Sequence, residues 1–519
     1  MTQQAKPMST PHIGGHPEAL FYLFFTEMWE RFSYYGMRAL LVLFLVTQTE
    51  QGGWGWSRSD ALSLYGWYTS MVYLTPILGG YLADRFLDTR RAVALGALII
   101  AAGHGLMLWH SLWSFYAGLS LIVIGTGFFK PSINAIVGRL YEQNEDTKRD
   151  AGYTLFYMGV NAGAFFGISL CGYVGEKLDW RWGFGLAGLF MLLGVLQFVS
   201  YRLPVSAYSK SIETNSDAVE VKSHILRDRL QVVALFSLLS VFFWFAFEQA
   251  GGTMTIFAAS YTERTLSDDS ALMFKLASAA MLMIPALILS ILMWRMWMNY
   301  APEQRGVNGV AHLPSKLILL LCMSSIWALL IMMSVQEFAR PESEIPASWF
   351  ASLGSFFVVV LAPMVSLLWD KCWNPDGPGK FAIGLFLLAA GFLVLAYGAR
   401  TVPVGAQVGA ASVWILIGAY FLHALGELYV SPVGLSFVSK LVPHHLLGLM
   451  FGLWFLNTAI ANKLAGSFGS YIDHISASFS LSIFFLILAL VPASAALLTL
   501  ILRPYLLSKM HLENRSDLK

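Results

Sequence analysis

From Ser480 to Leu502 the chain carries no acidic or basic residue, nor does it from Phe381 to Ala399, and only His423 intervenes between Thr401 and Gly426. A helix needs about 20 apolar residues to cross the roughly 30 Å hydrocarbon core of a bilayer, and each of these blocks is near that length. Such blocks recur, so helices are expected at about 20–48, 61–85, 91–110, 113–141, 150–173, 181–202, 230–260, 272–298, 315–336, 347–370, 381–399, 411–438, 446–470 and 479–502. Only 12% of the 519 residues are charged, about half of the roughly 25% usual in soluble domains. No large soluble domain fits between the blocks. The expected fold class is an all-α membrane protein with about 14 transmembrane helices.

Basic residues orient the helices, because cytoplasmic loops retain them. With the N-terminus inside, one set of connections carries Arg85, Arg90, Arg91, Lys148, Arg149, the cluster from Arg202 to Arg229, Arg295, Arg305, Lys316, Lys371, Lys380, Lys440, Arg503 and Lys509. The opposite set carries far fewer, among them Arg58, Lys177, Arg264, Lys275, Arg340 and Arg400. Both termini are therefore expected in the cytoplasm, with the chain integral to a plasma (bacterial inner) membrane. The polar segment Met1–Glu18 contains Lys6 and no apolar stretch, so the first membrane helix serves as its own targeting signal. Cys171, Cys322 and Cys372 stand far apart without CxxC spacing and read as packing residues. No metal, cofactor or nucleic-acid partner is expected.

The polar run from Pro204 to Arg229 divides the chain. Residues 1–202 form an expected six-helix bundle and residues 203–229 a cytoplasmic linker. Residues 230–519 form a second bundle, with two additional helices at about 272–298 and 315–336. Paired bundles suit a transporter whose site lies at their interface.

The informative residues are the charges inside these apolar blocks. Glu27, Glu30 and Arg31 share one helical face, which Tyr34 and Arg38 continue. Each mid-bilayer charge costs roughly 2.5–3.5 kcal/mol on insertion scales, so the three must face one another and a polar cavity. A purely structural ion-pair knot is the alternative, but the surplus carboxylate leaves one group free to bind a proton. Lys130, Asn161, Glu248 and Glu427 are further intramembrane polar residues. They divide by sign: Arg31, Arg38 and Lys130 lie in the first bundle, and Glu248 and Glu427 in the second. A cleft with opposite charges on its walls suits a zwitterion. Arg38 and Glu248 both lie toward the outer ends of their helices and are expected to meet as an extracellular gate. Lys463 breaks the division and is expected to snorkel outward, while His104, His110 and His423 read as structural. The run Gly79-Gly80-Tyr81-Leu82-Ala83-Asp84-Arg85, at the cytoplasmic end of the second helix, is expected to latch neighbouring helix ends through Asp84 and Arg85.

Glu27-x-x-Glu30-Arg31-Phe32-x-Tyr34-Tyr35-Gly36 resembles the signature of proton-dependent oligopeptide transporters, within the major facilitator superfamily. The glycine-rich run at Gly79 is similar to that superfamily's loop motif. Segments at Phe128 (FFKPS), Phe156 (FYxxxNxG), Phe243 (FWxxFEQ) and Gly426 (GExxxSP) resemble the family in order and placement. The resemblance implies the major facilitator fold and coupled uptake of di- and tripeptides with protons. It implies proton handling by Glu27, Glu30, Arg31, Lys130 and Glu248. The peptide carboxylate would meet Arg31, Arg38 and Lys130, its amino end Glu427 and Asn161, and its side chains Tyr34, Tyr35, Tyr73, Trp244 and Trp454. Three departures stand out. Asp88 replaces the loop motif's usual glycine, Gly354 replaces an asparagine of the eighth core helix, and the additional helices fall between the seventh and eighth core helices.

Two other transport-related readings remain: a symporter of nitrate or organic anions, and a non-transporting peptide sensor. A simple anion gains nothing from Glu427. A membrane enzyme is disfavoured, since HExxH, GxSxG and clustered His or Cys are absent from the sequence.

Overall fold

The computed structural model describes residues 12–109, 111–141, 146–201, 203–204, 207, 223–298, 313–442 and 444–511, without the side chains at 12, 84, 146–147, 223, 433, 435–436, 438–440, 444–449 and 451. Its helices are α1 Glu18–Val46, α2 Arg58–Phe86, α3 Thr89–Met107, α4 Leu112–Gly138, α5 Asp146–Lys177, α6 Trp180–Ser200, α7 Ser223–Phe247 and α8 Thr253–Ile256. They continue as α9 Asp268–Met298, α10 Leu313–Ala339, α11 Trp349–Lys371, α12 Gly377–Gly398, α13 Val413–Leu441, α14 His444–Gly469, α15 Ile472–Ser478 and α16 Leu481–Lys509. Two short antiparallel ribbons pair β1 His12–Ile13 with β2 His16–Pro17, and β3 Thr265–Leu266 with β4 Ser343–Glu344.

Among the described residues, eleven helical segments are long and apolar enough to cross a membrane. α1 is not one of them, because its own charges (Glu18, Glu27, Glu30, Arg31 and Arg38) interrupt every apolar window. It is instead an enclosed helix, buried at every position except Tyr35 and Val46, and it packs chiefly on α5 and α6. Charge excludes α1 from lipid and places it at the centre.

A stripe of small residues on α5 lets α1 approach. Gly163 faces the Met28 carbonyl and lies so close that a Cβ there would fall 2.8 Å from Arg31 Cβ; Gly167 abuts Phe32. Such small-xxx-small spacing allows backbones to touch in a bilayer, and here it fixes the height of Arg31. Gly163→Val is expected to push α1 away, at about 1–3 kcal/mol for overpacking. The measurement is the melting temperature in detergent, which should fall with transport; an unchanged melting temperature would show that the contact is slack.

One expected helix, 230–260, is broken. α7 ends at Phe247, a 3₁₀ turn spans Glu248–Gly251, and a π turn at Phe257–Tyr261 follows α8. The Gly251-Gly252 pair sits at the break, where Gly251 abuts the Tyr65 hydroxyl. Glu248 thus heads a turn rather than lying within a regular helix. α15 is a short helix that the apolar pattern did not announce.

The first six helices pack among themselves through α1–α5, α1–α6, α3–α4, α2–α4 and α3–α6. A second set joins α12 to α13 and α16, α11 to α13, and α7 to α14 and α16. The halves meet where α2 crosses α14 and α5 crosses α11. At the first crossing a Cβ on Gly66 would lie 2.7 Å from Gly466 Cα, so the backbones touch. The additional helices α9 and α10 pack on each other, and α10 packs on α6 of the first half.

Candidate functional site

Arg31 lies between two carboxylates of its own helix: Glu27 is 3.1 Å from its Nε, and Glu30 pairs with the same nitrogen. All three are buried. Two carboxylates against one guanidinium leave a formal net negative charge, and Glu27 Oε2, Glu30 Oε1 and Arg31 Nη2 have no hydrogen-bond partner among the described residues. The hydroxyls of Tyr34 and Tyr68 are likewise buried and unpartnered, and the two rings stack with centroids 6.5 Å apart. Arg31 lies 5.3 Å from the centre of the Tyr34 ring. Buried polar atoms are rarely left unsatisfied, so this patch is built to meet something polar.

One turn and more beyond, Arg38 forms a buried ion pair with Glu248 and donates through Nε to the Tyr65 hydroxyl at 2.7 Å. The contact joins α1 and α2 of the first half to the turn after α7 in the second. Lys130, on α4, lies 4.6 Å from the Tyr73 ring centre and 5.9 Å from that of Phe455 on α14. No carboxylate pairs with Lys130 among the described residues, and no cation pairs with half-buried Glu427. A further cluster joins the halves at the same end as Arg38. Arg58 donates to Asp473 at 3.0 Å, the Tyr261 hydroxyl at 2.7 Å, Ser260 Oγ at 3.0 Å and the Gln407 carbonyl at 2.9 Å.

Residues 90–203 and 310–485 match the profile of the POT family, more than half of the chain. The chain belongs to the POT family. It is 32% identical to the uncharacterized transporter YclF of Bacillus subtilis, over 90% of this chain and 91% of that one. The peptide transporter YePEPT of Yersinia enterocolitica is 31% identical, with 88% of each chain covered. Dipeptide and tripeptide permease A of Escherichia coli is 27% identical over 90% of this chain and 87% of its own. A crystal structure of the peptide transporter POT superposes with a TM-score of 0.73 at 26% identity, covering 96% of this chain and 98% of that one. The fold is the major facilitator type, the protein is a multi-pass membrane transporter, and the family's members are not enzymes.

Other expected POT site residues differ in their surroundings. Asn161 donates to the Tyr157 carbonyl of its own helix at 3.2 Å. Tyr35 lies beside Arg38, 5.8 Å from ring centre to guanidinium. The half-buried Trp244 leaves its indole N–H unpartnered, whereas Trp454 is buried with its ring over Gly434 of α13. The Lys463 ammonium sits 4.2 Å from the Trp67 ring centre, across the α2–α14 crossing. The Asp84 side chain lies outside the described residues, and exposed Arg85 donates to the Tyr81 hydroxyl at 2.9 Å. Asp88, in place of glycine, caps α3 by accepting from the Arg91 amide at 2.8 Å. Beside Gly354 the nearest atom to a Cβ would be Tyr420 Cδ1 at 4.0 Å, an ordinary contact, so a Cβ at this position has room.

Tyr65, Tyr68 and Arg58 were not expected at the site. Tyr65 and Tyr68 are three residues apart on α2 and look like ordinary membrane aromatics. Arg58 resembles any loop cation until its four partners, distant in sequence, converge.

Proposed function

We propose that this chain is a proton-coupled symporter that takes up di- and tripeptides by alternating access. The observation that carries the reading is the set of polar atoms without partners among the described residues: Glu27 Oε2, Glu30 Oε1, Arg31 Nη2 and the hydroxyls of Tyr34 and Tyr68 in one buried patch, with Lys130 and Glu427 in no ion pair among those residues, one on each half. Peptides differ in side chains but share two charged termini at nearly constant separation. Cations of the first half (Arg31, Arg38 and Lys130) suit the carboxylate, and Glu427 with Asn161 suits the ammonium. Tyr34, Tyr35, Tyr73, Trp244 and Trp454 suit variable side chains. The names of the relatives YePEPT and dipeptide and tripeptide permease A support the same substrate class.

The surplus carboxylate beside Arg31 supports a proton site in contact with the substrate site. Protonating either glutamate leaves Arg31 with one partner and a freer guanidinium for the peptide carboxylate, which couples the two ligands. Lys130 and Glu248 complete the set of intramembrane groups able to pass the proton onward. With the N-terminus cytoplasmic, the end closed by Arg38–Glu248 and Arg58–Asp473 faces outward and the structure is the outward-sealed state. Asp84 and Arg85 then lie at the cytoplasmic gate.

One proton moving down about 100 mV contributes about 2.3 kcal/mol, and one pH unit adds about 1.4. Together, roughly 3.7 kcal/mol concentrates a neutral peptide several hundred-fold. The test is uptake of labelled dialanine into proteoliposomes under an inward proton gradient. Accumulation that collapses with a protonophore is expected. No uptake with or without the gradient would overturn the reading, as would competition by nitrate or succinate but not by dipeptides.

A further inference from the structure

The sealed end contains a third contact between the halves, on residues that the transport reading above does not use. Ser169, Gly172, Tyr173 and Glu176 lie three or four residues apart on one face of α5, against the start of α11. The Trp349 indole donates to the Ser169 carbonyl at 2.9 Å. One turn on, Ser348 occupies the space where Gly172 would carry a Cβ. After a further turn the Glu176 carboxylate accepts three hydrogen bonds, from the Ala347 amide at 2.7 Å, the Ser348 amide at 2.9 Å and Ser348 Oγ at 2.5 Å.

Amides at the start of a helix lack intrahelical partners and favour a negative charge. α11 has no side-chain cap of its own; Glu176 supplies one from the opposite half. Beside it, Glu344 on β4 pairs with Lys177 of α5 at 2.7 Å and with Arg264 at 3.1 Å. Burial alone would raise the Glu344 carboxyl, but the Lys177 hydrogen bond and the Arg264 charge outweigh it and hold it below its ordinary range.

The inserted hairpin explains how these groups meet. β4 and Ser348 both lie on the connection from α10 to α11. α10 is anchored to the first half: Ser315 Oγ donates to the Gln197 carbonyl of α6 at 3.0 Å, and the Tyr173 hydroxyl donates to Gln336 at 3.0 Å. The insertion therefore rides on the first half, and its exit strap delivers the amides of Ala347 and Ser348, which lead into α11, to Glu176.

We propose that Glu176 is a gating residue, which caps α11 across the halves in the sealed state and must release it for that end to open. This rests on the alternating-access reading above. Opening passes the carboxylate and the amides to water, so the contact is reversible yet biases the equilibrium toward sealing.

The test uses spin labels on cysteines introduced at Gln51 and Val404, exposed positions on either half at the sealed end, in a Cys372→Ser background. Pulsed dipolar spectroscopy in proteoliposomes, without substrate, reads the distance between them. Glu176→Gln is expected to raise the long-distance population about fivefold, the size expected for losing a helix cap. Ser348→Ala should raise it about twofold, as removes one of three bonds, and Gly172→Leu should also open the end by displacing Ser348. Should Glu176→Gln not fold, these two variants decide the matter. Arg38→Ala serves as the positive control. If that control opens while the α5–α11 variants keep the wild-type distribution, even at lower melting temperature, Glu176 is merely structural and the proposal is overturned. Wild-type protein that takes up no peptide would sink the transport reading and leave this distance measurement standing.

Discussion

Glu30→Gln, and separately Glu27→Gln, is expected to reduce gradient-driven peptide accumulation from several hundred-fold to about onefold, while counterflow stays within a few-fold of wild type. The two carboxylates share Arg31 and carry one charge more than it neutralises. Glutamine at either position copies permanent protonation, so the carrier still exchanges bound peptide but no longer draws on the gradient. Folding survives because Arg31 keeps one partner. Removing Arg31 instead strands two buried carboxylates, at a cost of about 3–5 kcal/mol, and is the harsher change. Accumulation and counterflow of labelled dialanine in the same vesicles separate coupling from binding. Wild-type accumulation in both glutamine variants would remove the carboxylates from the proton path.

Charge reversal at the sealed end should have an effect of similar size. Arg38→Glu alone sets two carboxylates against each other in a buried contact, and Glu248→Arg alone sets two guanidiniums; both single variants are expected to lose transport. The double exchange restores an opposite pair between the same elements and should recover peptide exchange, though not proton coupling, since the carboxylate then sits on α1. A double-mutant cycle should give a coupling energy on the order of 2 kcal/mol, within the 0.5–3 kcal/mol range for contacting residues. Independent, additive losses would show that the pair does not act as a gate.

The long apolar blocks announced nearly every membrane helix, because lipid demands about 20 apolar residues per crossing whatever the neighbours are. The pattern failed at 248–261, where two glycines and a tyrosine from another helix break the regular turn, and at α15, too short to leave a periodic signal. Intramembrane charge was equally legible. Glu27, Glu30, Arg31, Arg38, Lys130, Glu248 and Glu427 are conspicuous because a charge in lipid is too costly to be incidental. The sign of the two walls also foretold the Arg38–Glu248 contact.

What the chain could not announce is partnership at a distance. Glu176 sits in the last turn of an apolar helix like any interfacial acid, and only the crossing of α5 over α11 turns it toward three donors. Arg58 acquires its contacts from Ser260, Tyr261, Gln407 and Asp473, and Lys463 its contact from Trp67. The sequence by itself determined that the chain is a multi-pass helical membrane protein and which charges must be hidden, since both follow from the transfer of single residues out of water. Which hidden charge meets which partner was decided by the tertiary structure, because contact energies fall off within a few ångströms and depend on helix crossings that no local pattern records.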